Sequence, residues 1–140
     1  MPLYNFTDLE LIDDCFDKLI AQGGCSTDSD GNCMYRGKGG RKCSVGVYMP
    51  DEQYTSDIEG AEVTAITKKG DMIRAIILPL GLNPEKMNVL QQAHDRCARH
   101  SQSSNRPEVV LLEEMREYLK LRVAGQSLES IEVFRFNFKA

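Results

Sequence analysis

What the chain lacks narrows its chemistry first. It has no tryptophan, only two histidines, and five cysteines with no Cys-x-x-Cys pair among them. Two histidines cannot build a three-imidazole metal or catalytic centre. The cysteines, at positions 15, 25, 33, 43 and 97, are odd in number and scattered. That pattern excludes a disulfide framework and predicts reduced thiols packed as small hydrophobes. No apolar run approaches the ~18–20 residues that a membrane span needs. The longest, Ile76 to Leu80, is interrupted by Pro79. Met1 to Leu11 has neither a basic nor an apolar leader region, so the expectation is a chain without a signal peptide, working in the cytoplasm and away from membranes. Internal repeats and low-complexity tracts are also missing.

What is present fits one domain spanning residues 1–140. The hydrophobic fraction of 41% and charged fraction of 27% are those of an ordinary globular chain, and this length supports one core. The net charge of −4 argues against general nucleic-acid binding. Charge is nevertheless segregated. Asp8–Asp17 and Asp51–Glu62 each hold five acids, and Arg36–Lys42 between them holds four bases and no acid. Arg36, Lys38, Arg41 and Lys42 on one segment, and Asp51, Glu52 and Glu59 on the other, are the candidate binding residues. Such complementary patches suit a protein partner reached by electrostatic steering.

The expected fold is α+β: a mainly helical domain with a β-hairpin at about 33–45 and a C-terminal strand at about 131–138. Thr7-Asp8-Leu9-Glu10 is a capping box opening a helix over about 8–22, and Gly23-Gly24 ends it. Leu9, Ile12, Phe16, Leu19 and Ile20 form its apolar face. Residues 60–82 read as two short helices broken at Gly70. Asn83-Pro84 caps a helix to about 99 with Met87, Leu90, His94 and Cys97 on one face. Pro107 opens another, with Val110, Leu112, Met115, Leu119 and Val123 inward and Gly125 as its stop. The hairpin reading rests on two short segments flanking Gly37-Lys38-Gly39-Gly40. The strand rests on period-two alternation in Ile131–Lys139. A lone strand needs a partner, either the hairpin or a second copy in a homodimer.

Several chemical motifs fail on spacing. Asp28-Ser29-Asp30-Gly31 resembles the start of a calcium loop, but the twelfth position falls on Gly37 where a bidentate glutamate is needed. An Asx-type turn is the better reading. Gly37-Lys38 is followed by glycine rather than serine or threonine, so it is not a phosphate loop. No nucleophile elbow exists. His94-Asp95 suggests a metal dyad, but adjacent residues on a helix diverge. A small zinc-binding protein or enzyme using Cys33, Cys43, His94 and Cys97 is the alternative to a non-catalytic binding protein. A nucleic-acid module using the basic glycine-rich tip is the second alternative. No catalytic set, cofactor or metal is assigned.

Asp30-Gly31-x-Cys33-x-Tyr35-Arg36-Gly37, Gly40-x-Lys42-Cys43-x-Val45-Gly46, Pro50-Asp51-Glu52-x-Tyr54 and Glu59-Gly60 together resemble a segment of small, uncharacterised proteins of bacteria, phages and prophages. Leu90-Gln91-x-x-His94-Asp95 resembles a later part of the same family. The resemblance covers about half the chain and carries no catalytic residues with it. It implies an accessory phage or mobile-element protein that binds and inhibits a host protein complex, CRISPR effectors being one such class.

Overall fold

The computed structural model describes residues 2–139, which form four α-helices joined by loops and single 3₁₀ turns. Helix α1 (Asp8–Ala21) begins at the capping box. The Thr7 hydroxyl accepts from the Glu10 N–H at 3.1 Å, and the Glu10 carboxylate accepts from the Thr7 N–H at 2.9 Å. The helix buries Leu11, Ile12, Cys15, Phe16 and Leu19, whereas Leu9, expected inside, is 46% exposed. It ends where Gly23, at φ 100°, lets the chain turn back on Ile20 and Leu19.

Helix α2 (Lys68–Ile77) is a single helix where two were expected. Thr67 caps it by accepting from the Gly70 N–H at 3.1 Å. Gly70 does not break it but sits in the first turn, where a Cβ would lie 2.0 Å from the Ala65 carbonyl oxygen. Helix α3 (Pro84–Ser104) starts on the Asn83 cap as expected and runs past 99, ending at Asn105 with φ 60°. Met87, Leu90, His94 and Cys97 are all fully buried along it. Helix α4 (Glu108–Arg122) follows Pro107 and buries Leu111, Leu112, Met115 and Leu119, with Val110 turned outward. It packs on both α1 and α3, and the three enclose most of the aliphatic core.

The α+β expectation is not what forms, because no strand or sheet is present among the described residues. The segment expected as a hairpin, 33–45, keeps only one internal pairing, Arg36 with Lys42, and pairs Cys33 with Thr27. Apart from the Cys43-to-Tyr35 and Gly37-to-Arg41 bonds of the Arg36–Lys42 pairing, its main-chain N–H groups bond mostly outside the segment. The Tyr35 and Arg36 N–H groups donate to the Glu59 carboxylate, at 2.9 and 3.1 Å. Met34 and Lys38 donate to the carbonyls of Ser26 and Thr27. Two glycines make the close approaches: a Cβ on Gly37 would meet Ser26 Oγ at 2.5 Å, and one on Gly46 would meet the Tyr35 carbonyl at 2.2 Å.

The C-terminal strand is likewise absent. Residues 128–138 cross the helices as an extended strap with two 3₁₀ turns. The alternation is real in part, since Ile131 and Val133 are buried and Phe134 is exposed. The strap needs no partner strand, because the Arg96 guanidinium on α3 donates to the carbonyls of Val133 and Phe136 at 2.6 and 2.7 Å. The argument for a homodimer formed by strand pairing goes with the strand.

Candidate functional site

Three segments converge beside the middle of α3: the loop at 25–36, the turn at 59–62, and the helix face carrying Gln91, His94 and Asp95. Between them lies a cleft of about 190 Å³, whose walls include Cys33, Tyr35, Glu59, Glu62, Gln91 and Asp95.

His94 is fully buried and uses both ring nitrogens. Nε2 lies 2.9 Å from the Ser26 main-chain nitrogen, whose N–H it accepts. Nδ1 lies 2.9 Å from Asp95 Oδ1. An accepting Nε2 carries no proton, so the hydrogen-bond geometry assigns the proton to Nδ1, which donates it to Asp95. Adjacency on the helix, expected to hold these two side chains apart, does not do so. Asp95 Oδ1 also accepts from Gln91 Nε2 at 2.9 Å, one helical turn earlier.

Cys33, His94 and Asp95 place their ligand atoms within 4.8 Å of one another. This is half of the expected zinc set plus a carboxylate. Cys43 and Cys97 are outside the group. The Cys43 sulfur instead accepts from the Gly46 N–H at 3.3 Å, and Cys97 is buried in the core. A metal at Nδ1 would need that nitrogen's lone pair, yet Nε2 already commits one to Ser26. A neutral imidazole has only one, so ligation would break the Ser26 bond or require an imidazolate. Burial, reinforced by the neighbouring Asp95 carboxylate, pushes the Cys33 thiol up to about 12. Burial does the same to Cys15, to about 12, and raises Cys25, Cys43 and Cys97 as well. Thiols in this state are not nucleophiles at neutral pH.

Glu59 organises the other wall. Besides its two main-chain donors it accepts from the Tyr54 hydroxyl at 2.7 Å, while the Tyr35 hydroxyl donates to the Ala61 carbonyl at 2.7 Å. The remaining candidate binding residues lie away from the cleft. Arg36 pairs with Asp51 at 2.6 Å, donates to the Met49 carbonyl and stacks on the Tyr54 ring. Lys42 reaches the same aspartate at 3.5 Å, and both cations hold the Asp51 carboxyl below its usual range. Arg41 lies against Glu108 at 3.2 Å. The basic and acidic segments are thus partly bonded to each other. Lys38 and Glu52 are exposed and make no side-chain hydrogen bond or ion pair among the described residues. The loop at Asp28 is the expected Asx-type turn, its carboxylate accepting from the N–H groups of Asp30 and Asn32.

Protein-family profiles, curated proteins and solved structures offer no match to the chain. Its site is therefore read from its own chemistry. The cleft is lined by acceptors rather than by an activated nucleophile. Gln91 enters the sequence reading only as part of the Leu90-Gln91-x-x-His94-Asp95 resemblance and is not named there as a site residue; its four-residue spacing to Asp95 on one helix face is the signal for its place here.

Proposed function

We propose that this chain is a non-catalytic binding protein, an accessory protein of a phage or mobile element that attaches to a protein complex in the host cytoplasm and inhibits it. The observation that supports it most is the internal engagement of the histidine, the thiol and the central glutamate at the candidate site. His94 bonds through both nitrogens, Glu59 accepts three donors, and the Cys33 thiol is held protonated. Such groups organise a surface rather than perform turnover. Among the described residues, no helix is long and apolar enough to cross a membrane. The host setting and the inhibitory role, with CRISPR effectors as one target class, rest on the resemblance at 30–60 and 88–97.

Affinity capture with the tagged protein from bacterial lysate tests this. A defined, stoichiometric complex whose activity falls on binding is the expected result. A monodisperse protein that retrieves nothing across a range of salt would contradict it. The approach of Cys33, His94 and Asp95 favours a second reading, a small zinc protein. Elemental analysis of the purified chain decides that one, since a zinc protein carries its metal at close to one ion per chain.

A further inference from the structure

Gln91, which lines the cleft beside α3, carries a polar atom in the cleft wall that the fold leaves unserved. Gln91 is nine-tenths buried, with 9% of its surface exposed. Its Nε2 donates to Asp95, and its Oε1 is buried without any hydrogen-bond donor. Rotating the amide would not help, because it would set Oε1 against the Asp95 carboxylate. A buried carbonyl oxygen without a donor is costly and rare in native proteins. It marks a place where a donor from outside belongs.

The charge around it has the same character. Asp95, Glu59 and Glu62 all line the cleft, and none forms an ion pair with a lysine or arginine among the described residues. Asp95 takes its hydrogen bonds from the neutral His94 and Gln91, and Glu59 takes its own from two N–H groups and a tyrosine hydroxyl. Lys69 comes near but donates to the Glu59 main-chain carbonyl at 2.9 Å, and Arg99 near Cys33 is exposed. The cleft therefore combines uncompensated negative charge with a buried acceptor.

A bare metal ion does not suit this arrangement, because the one group of side chains at ligand distance among the described residues includes His94, whose lone pair Ser26 occupies. A polyatomic cation that brings N–H donors does. We propose that the cleft is a guanidinium site, which takes the head group of an arginine by hydrogen bonds to Gln91 Oε1 and to the carboxylates of Asp95 and Glu62. A guanidinium offers five donors in a planar fork, enough to serve an amide oxygen and two carboxylates together. The volume of about 190 Å³ is below the roughly 300–1,000 Å³ of ordinary small-molecule pockets, so it fits a head group rather than a whole nucleotide or drug-sized ligand. This deepens the binding-protein reading by naming the chemistry of the partner's anchoring residue.

The test follows the backbone and Gln91 side-chain amide signals of the isotope-labelled full chain by NMR. One titration uses N-acetyl-argininamide, one a short arginine-containing peptide, and one sodium chloride at matched ionic strength. Saturable shifts at Gln91, Gly60, Ala61 and Asp95 with the arginine compounds but not with salt are expected. Equal affinity for the two compounds identifies the head group alone as the ligand, and tighter binding of the peptide identifies a protein-borne arginine. Glu62→Gln, an exposed change, and Gln91→Met should each weaken binding about tenfold, the size of one charge-assisted hydrogen bond. No saturable shift with either compound, or undiminished binding in a folded Glu62→Gln and Gln91→Met pair, overturns the site. Capture of a host complex despite that result would leave the binding-protein reading standing on another surface. Arginine binding without any captured complex would do the reverse.

Discussion

Helices α1, α3 and α4 pair their main-chain groups with neighbours a few residues away. The segment from 22 to 67 joins short local turns to side chains far along the chain that take several of its main-chain groups. In the helices, removing any one side chain leaves the hydrogen-bond ladder intact. In the loop region single side chains hold several main-chain groups at once. Gln22 accepts from the Lys42 N–H and donates to the Lys42 and Gly24 carbonyls, and Glu59 takes two consecutive N–H groups and a hydroxyl. The lesson is that stability in the loop region is concentrated in few polar side chains, whereas in the helices it is spread over an apolar face.

That contrast can be broken most severely at Glu59. Glu59→Ala strands three donors, each costing roughly 1–3 kcal/mol when buried and unpaired. A loss of about 3 kcal/mol or more is expected in urea unfolding, with fast amide exchange at Tyr35 and Arg36. A loss below about 1 kcal/mol would mean the loop is held by something other than its polar hub. The C-terminal strap uses the same device on a smaller scale. Arg96→Met should cost about 2 kcal/mol and raise amide exchange along 131–138 while α3 stays protected.

Acid should act more mildly and at particular places. Burial alone would raise the Asp8 carboxyl, but the Lys86 ammonium and the Leu128 N–H outweigh it and hold it below its usual 3.8. Glu114 is likewise held below 4.5, with Arg106 and the Lys139 N–H outweighing burial. Carboxyls lowered in the folded state stabilise it above those ordinary values and lose the effect as pH falls through the lowered ones. Both tie the C-terminal strap to the helices. Exchange at 126–139 should therefore rise below about pH 4 before the helices melt. Simultaneous loss everywhere would contradict a strap anchored by these two groups. The smallest effect is expected at the α1 cap, where Thr7→Ala should cost about 1 kcal/mol, measurable as a shift in urea midpoint at unchanged slope.

The same contrast explains what the sequence could disclose. The α1 capping box, the Asn83-Pro84 start of α3 and the buried face Met87–Cys97 were legible because their causes lie within one or two helical turns. The segment 33–45 was not. Its strand-like residues looked ready to pair with each other, but Glu59, 24 residues beyond Tyr35, takes the Tyr35 N–H that would have extended a hairpin ladder past the Arg36–Lys42 pair, together with the outward Arg36 N–H. The alternation in 131–138 suggested a strand, and Ile131 and Val133 are indeed on the buried side, yet Arg96 rather than another strand meets the carbonyls. At the site, His94 and Cys33 were both singled out, and the grouping with Cys43 and Cys97 was not realised. Asp95 and Gln91 are joined to His94 by side-chain torsions that spacing alone does not determine.

His94 is a neutral, doubly bonded structural histidine beside an acceptor-lined cleft, and nitrogen-15 NMR of its imidazole, with and without added zinc, tests this directly. A protonated Nδ1 and an unprotonated Nε2, unchanged by a stoichiometric amount of zinc, are expected. A proton on Nε2, or a zinc-induced shift at Nδ1 accompanied by loss of the Ser26 hydrogen bond, would contradict it.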